Sequence, residues 1–417
     1  MMSKLITSLV LAFSLVVVQL PLSFSVEAAE EQKKEKRKSR LASPSVGKKV
    51  VRAFDAYTED DIDGALVILK DISTREAYDK AYVTRFIAVM YAQQGNEVES
   101  IKYLKEAIEP DILNQKDQEE SIKLLADLQM QTKDYKGALA NYTKWMDFAG
   151  KEDANTYVKV TQAYYELGIL DKMIVPADKA IALYGDKHNQ NPYILKVTSY
   201  YERKMYKDAV NVLETVVQIY PDKKQWWTQL GMFYLLVEDY TKGVQTLDLA
   251  YKQGFLVKES QIKTLASLYS QSEAPYKAAT LLEKNIASGI VKRDDKNLSI
   301  IANAWHAAQH IDKAAKYYGE LAKMTGESRH YRKQGMLLKQ DEQFSAAIIA
   351  FDKALERDVR GSGRVYQSIA ESYFYLEKYK PAYAAIKKAM KDPKSRKGAR
   401  GWVSFIKDTA QRKKIAI

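Results

Sequence analysis

The sequence predicts an all-α solenoid: about ten helix–turn–helix units stacked side by side and closed by a C-terminal capping helix. Three observations carry this. A small residue returns at a near-constant interval along the chain, and large apolar residues return around it at helical spacing. The chain also has no cysteine, so packing rather than disulfide bonding has to hold it together.

The elements follow in chain order. Residues 1–28 stand outside the fold. Lys4 gives a short positive region, Leu5 to Val18 an apolar stretch, and Val26 and Ala28 the small-residue pattern of a cleavage site. A signal peptide cut after Ala28 is therefore expected, and with it export of the mature chain. The alternative, an uncleaved membrane anchor, is disfavoured because the apolar run is short and is broken by Gln19 and Pro21. Residues 29–45 form a basic arm. Its "EEQKKEKRKSR" has six Lys and Arg against three Glu, the composition of a disordered segment.

The array is expected over residues 46–395. Its clearest unit is "WWTQLGMFYLLVEDYTKGVQTLDLAYKQGF", residues 226–255, with Trp227, Leu230, Gly231 and Tyr234, then Tyr240, Gly243, Leu247 and Ala250. Upstream the pattern returns as Tyr193, Val197, Tyr200, Tyr206, Ala209 and Leu213, and downstream as Tyr366, Ala370, Tyr373, Tyr379, Ala382 and Ile386. The small residue early in the second helix falls at Ala65, Ser100, Ala138, Met173, Ala209, Gly243, Ala278, Ala314, Ala347 and Ala382, at intervals of 33–38 residues. Two helices approach closely only where side chains are small. Gly231 and Gly243 give that room in their unit, and the larger residues fill the space around the contact. One helix pair cannot bury its apolar face, whereas a stack of pairs can, and it leaves a concave inner surface.

This pattern resembles the tetratricopeptide repeat, with its W-x₂-L-G-x₂-Y…A-x₃-F…P signature over about 34 residues. The resemblance covers nearly all of the chain after residue 45. It implies a right-handed superhelix in which the first helix of each unit lines the groove.

Prolines agree with the pairing. Pro192, Pro275 and Pro381 lie near helix starts, where a missing N–H is harmless, and Pro110, Pro221 and Pro393 near unit ends. Pro176 falls inside an expected second helix, where Met173 replaces the small marker, so that helix is expected to kink or to begin late. The long interval from Ser100 to Ala138 calls for an extended turn around residues 110–120. These irregularities are places where the array can divide, near 150–190. Residues 396–417 form the basic capping helix and tail, with a helix over about 398–412 whose Trp402, Val403 and Phe405 cover the last apolar face.

Charge excludes one class of function. The net +12 sits at the ends: residues 391–417 carry nine Lys and Arg against two Asp, and with the +3 arm this leaves +2 for residues 41–390. Nucleic-acid binding, which needs basic residues along the contact surface, is not expected. The basic C-terminal segment offers a peripheral contact with anionic membrane or acidic polymer. No phosphate loop, nucleophile elbow or zinc-protease motif is present, so no enzyme is expected, and no cofactor. His306 and His310 stand four apart in "WHAAQH" on an expected helix, but no third ligand accompanies them and no metal site is assigned. The acid pairs Asp60–Asp61 and Asp294–Asp295 read as turn and capping residues.

What remains is binding. Registering each first helix to residues 226–255 places Gln162, Tyr165, Glu166, Thr198, Tyr201 and Glu202 in the middle of the groove. Towards the C-terminus the same register gives Lys263, Lys296, Asn303, His306, Arg329, Arg332, Lys339 and Arg364. Guanidinium groups suit carboxylates, so the expected partner is a protein or peptide with acidic groups. Asn303 and Arg329 partly resemble the carboxylate clamp of some tetratricopeptide proteins, but Ser299 stands where that clamp has a basic residue, and no clamp is assigned.

The whole chain, with its leader, charged arm, "LASPSVGKKVVRAFDAY" opening and Tyr-rich array, resembles the periplasmic tetratricopeptide proteins that accompany TonB–ExbB–ExbD systems of Gram-negative bacteria. That resemblance implies a scaffold supporting TonB-dependent transport, with TonB-system components among its partners. The alternative is an envelope polysaccharide or peptidoglycan factor whose tyrosines stack on sugars.

Overall fold

A computed structural model describes residues 37–357 and 361–417. The signal peptide expected over 1–28 lies outside the described residues. Within them are twenty-one α-helices and no strand. Ten pairs follow one another: α1 (Pro44–Thr58) with α2 (Ile62–Lys70), α3 (Ala77–Gln93) with α4 (Glu97–Ile108), and α5 (Gln115–Gln131) with α6 (Tyr135–Ala149). Then come α7 (Ala154–Glu166) with α8 (Ile174–Tyr184), α9 (Gln190–Glu202) with α10 (Tyr206–Ile219), and α11 (Lys224–Leu236) with α12 (Tyr240–Lys252). The series ends with α13 (Glu259–Gln271) and α14 (Pro275–Ala287), α15 (Asp295–Ala307) and α16 (Ile311–Thr325), α17 (Ser328–Gln340) and α18 (Phe344–Leu355), and α19 (Ser362–Tyr375) and α20 (Tyr379–Ala389), before the cap α21 (Arg396–Arg412). The helices fall into two compact units divided between Glu152 and Asp153. Within each unit every first helix packs on its own second helix, and every second helix on the next first helix. This is the tetratricopeptide solenoid arrangement.

The turn inside each pair has one recurring geometry. Five residues before each small marker the backbone turns left-handed: at Asp60, Gly95, Lys133, Gly168, Lys204, Glu238, Glu273, Gln309, Glu342 and Glu377, φ lies between 56° and 76°. The next residue then caps the second helix where its side chain allows. Asp61, Asn96, Asp134 and Asp239 each accept a hydrogen bond from the backbone N–H three residues on. Asp60 and Asp61 are thus turn and cap, and Asp294 caps α15 through the Asn297 N–H.

Packing explains the small residues. All ten markers are buried. Twelve residues before each of them, in the first helix, stand Ala53, Ala88, Ala126, Thr161, Val197, Gly231, Ala266, Ala302, Gly335 and Ala370, all buried as well. Two of the crossings use glycine. A Cβ on Gly231 would lie 2.6 Å from Leu247, one on Gly243 2.7 Å from Leu235, and one on Gly335 2.6 Å from the Phe351 ring. Glycine is required here for space, not for a backbone angle.

Pro176 behaves as the sequence expects, and three other details depart from the expectation. Pro176 is accommodated by a late start: a 3₁₀ turn over Leu170–Met173 leads into α8, so Pro176 sits in its first turn. The extended turn ends sooner than residue 120, because α5 already begins at Gln115. Helix α15 ends at Ala307, so His310 is the N-cap of α16 and does not share a helix face with His306. In the cap, Ile406 is the apolar residue fully buried, alongside Ala399 and Ala410, while Phe405 stays 47% exposed and leans on Phe374 with ring centroids 4.9 Å apart.

The arm also ends earlier than residue 45, since α1 starts at Pro44. Residues 37–43 lie against the first unit. The Arg37 guanidinium pairs with Asp111 at 2.6 Å and covers the Phe148 ring at 4.7 Å. The Arg40 N–H donates to Asn114 Oδ1, and the Ser43 N–H to the buried Asp79 carboxylate.

Candidate partner-binding face

The face of the second unit formed by its first helices has two regions of different chemistry. Over α7, α9 and α11 it exposes aromatic and apolar side chains among the polar Gln162, Glu166 and Glu202. Tyr165, Tyr201, Met232 and Leu236 are 40–48% exposed. The Tyr201 ring stands 5.8 Å from Phe233 and 6.0 Å from Tyr206, which holds it upright as a platform. Large apolar side chains left open on one face mark a contact surface more readily than scattered ones do.

Towards α17, α19 and α21 the face is cationic. A cavity of about 410 Å³ is walled by Arg332, Met336 and Lys339 of α17, by Arg364, Gln367 and Glu371 of α19, and by Lys394 in the turn before α21. Val365 and Phe351, both buried, form its apolar floor. Among the described residues that line it, four cations accompany one carboxylate. Glu371 is already engaged: Lys339 Nζ bonds to it, and Gln367 Nε2 donates to it at 3.0 Å. The cavity therefore carries a positive field between low-dielectric walls, which concentrates anions.

The sequence-derived residues divide accordingly. Arg332, Lys339 and Arg364 meet in this cavity. Arg329 does not line it; its guanidinium pairs with Glu327 and its Nε donates to His330 Nε2 at 3.3 Å. Asn303 accepts from the Tyr318 hydroxyl and lines a separate cavity of about 540 Å³ with Ser270 and Ile300. Lys296 is exposed and Lys263 is 3.8 Å from Glu259. His306 is half-buried, and burial, helped by the nearby Lys333 charge, holds its pKa below the usual histidine value. It is neutral at neutral pH and adds no positive charge. Tyr165 and Tyr201 belong to the aromatic region.

Four of the wall residues escape the sequence reading. Met336, Gln367 and Glu371 occupy first-helix positions that the repeat register could have supplied. Lys394 lies beyond the last pair, where no register applies. Among the described residues no group of three or more His, Asp or Glu is arranged to hold a metal ion.

No family model and no curated protein matches the chain. Solved structures do show likeness. The Naa15/Naa10 complex bound to HypK-THB aligns at 13% identity over 82% of this chain and 68% of that one, with a TM-score of 0.38. A tetratricopeptide repeat protein from Parabacteroides merdae aligns at 12% identity over 70% and 98%, with a TM-score of 0.34. YrrB, a tetratricopeptide protein with an unusual peptide-binding site, aligns at 14% identity over 45% and 96%, also at 0.34. At such scores the helix pairs themselves, not these likenesses, carry the fold.

Proposed function

We propose that this chain is a non-catalytic periplasmic scaffold. It holds an acidic segment of a partner protein on the first-helix face of its second unit, in support of TonB-dependent transport. The cationic cavity walled by Arg332, Arg364 and Lys394 is the observation that carries the binding part of this reading. An acidic side chain entering it meets guanidinium donors beside an apolar floor, and charge-assisted bonds formed out of bulk water are among the stronger polar contacts. The aromatic region supplies area for the rest of the segment. Export rests on the leader-like residues 1–28, and the periplasmic setting and the link to TonB on overall likeness of sequence.

Affinity capture from detergent-solubilised envelopes, with the tagged chain as bait, tests it. Recovery of TonB, ExbB or ExbD that is lost at high salt is the expected result. Capture unaffected by Arg332→Ala with Arg364→Ala would remove the cavity from the reading. Absence of all three proteins would remove the transport role.

A further inference from the structure

The second unit also has a cavity on the side of its second helices. It measures about 290 Å³ and opens between α12 and α14. Part of its lining belongs to a device that recurs along the stack. A carboxylate on one second helix accepts a hydrogen bond from a tyrosine of the next pair: Glu214 from Tyr234, Asp248 from Tyr269, Glu283 from Tyr317. A lysine lies over each of these rings: Lys242 at 5.2 Å, Lys277 at 5.6 Å and Lys316 at 5.9 Å. In the first two the tyrosine stands on a first helix and the lysine on the second helix of the same pair, which makes a packing latch between neighbouring pairs; in the third, Tyr317 and Lys316 both stand on α16.

Three side chains at the α12–α14 cavity exceed what the latch requires: Tyr251, Lys252 and Lys284. One repeat earlier, the corresponding positions are Val217, Gln218 and Leu249, with neither an aromatic ring nor a charge. The Tyr251 ring is half-buried, its hydroxyl accepts from Asn285 Nδ2 at 3.0 Å, which fixes the ring in place, and the Lys284 ammonium lies over the ring at 5.8 Å. Lys284 and Lys277 are exposed and make no ion pair among the described residues, and Lys252 shares Asp248 at 2.8 Å with the Tyr269 hydroxyl. Three ammonium groups therefore surround one carboxylate that is already engaged twice, beside a fixed aromatic ring and the Thr280 hydroxyl.

That combination selects among anions. A phosphate or an acidic peptide side chain would use the ammonium groups and leave the ring idle. A six-membered sugar acid would use both: its carboxylate draws the exposed Lys284 off the Tyr251 ring, its C–H face takes that place on the ring, and its hydroxyls meet Thr280. The volume suits one such ring, at the small end of ligand cavities. We propose that this cavity is a subsite for a uronic-acid residue of an acidic polysaccharide, on the opposite side of the second unit from the protein-binding face and independent of it.

The test uses the full chain and three polymers: polygalacturonate, poly-L-glutamate of matched charge, and neutral dextran, followed by titration calorimetry at fixed ionic strength. Polygalacturonate is expected to bind about tenfold or more tighter than poly-L-glutamate, and dextran not at all. Lys252→Gln with Lys284→Gln should weaken polygalacturonate about tenfold, with the melting temperature as the check on folding. Tyr251→Phe should retain binding and Tyr251→Leu lose it. Arg332→Ala with Arg364→Ala should leave it intact, which separates this site from the protein-binding face. Equal binding of poly-L-glutamate would overturn the sugar assignment. Unchanged affinity in the double lysine variant would overturn the site, and would move any binding to the basic C-terminal segment.

Discussion

At the scale of single residues, the excess of tyrosine over phenylalanine, 29 against 11, finds a physical reason in the hydroxyl groups. Tyr142, Tyr234, Tyr269 and Tyr317 bury their rings and donate to Asp127, Glu214, Asp248 and Glu283. Phenylalanine would leave each acid short of a partner. Tyr317→Phe is therefore expected to cost roughly 1–2 kcal/mol, read as a lower urea midpoint at unchanged slope. Burial first, and the adjacent carboxylate second, push all four phenols well above their ordinary value near 10. The sign follows from that direction. The unfolded chain loses these protons near pH 10 while the folded one keeps them, so this stabilisation is complete below about pH 10 and is lost as pH rises towards the folded values. Unfolding free energy should fall steeply above about pH 10, and less steeply in the variant with all four tyrosines changed to phenylalanine. Legibility at this scale is uneven. Register alone brings Arg332, Lys339 and Arg364 to one cavity. The same register does not reveal that Glu327 neutralises Arg329, because that pair depends on how the chain enters α17. Nor does it choose Ile406 over Phe405 in a helix that has no repeat partner to compare with.

At the scale of helices and turns, the left-handed residue five positions before each marker is the least visible regularity in the sequence. It is glycine only at Gly95 and Gly168 and is otherwise charged or polar, so composition hides it. A left-handed backbone costs a side-chain-bearing residue free energy that glycine avoids. Lys204 is exposed with φ of 59°, and Lys204→Gly is expected to stabilise the fold by roughly 0.5–1 kcal/mol, the gain at the turn less the entropy glycine loses. A Gly95→Val variant should do the opposite, and thermal melts of the two decide the matter. The helix crossings are far more legible, because a small residue every 33–38 positions has no other simple explanation. Gly231→Leu puts a branched side chain where even a Cβ comes within 2.6 Å of Leu247. It should cost about 1–3 kcal/mol or more by overpacking. Gly47, whose Cβ would meet nothing within 4 Å, supplies the comparison: Gly47→Ala should be neutral or stabilising.

At the scale of the whole molecule, charge is arranged by place rather than by amount. The body between the two basic ends is close to neutral, yet the cations of α17, α19 and the turn before α21 gather around one cavity, while His306 contributes none. Such a cluster persists only if holding an anion repays the repulsion between its members, or if acids elsewhere offset it. Glu371 offsets Lys339 and Glu327 offsets Arg329. Arg364 and Lys394 stand on the cavity wall with Arg332, which has a contact of its own, and an acidic partner would meet all three there. For a fluorescently labelled acidic peptide read by anisotropy, Arg332→Ala with Arg364→Ala should therefore weaken binding by about tenfold or more, since each lost charge-assisted bond is worth roughly 1.5–3 kcal/mol. Arg329→Ala should change it less than about twofold, as expected for an exposed, already paired charge. Glu371→Gln should strengthen binding by releasing Lys339, and added salt should weaken all variants except the double alanine one, which has least charge left to screen. If Arg329→Ala and the double variant weaken the peptide equally, the cavity is not where the anion sits, and the cationic face acts only through its total charge.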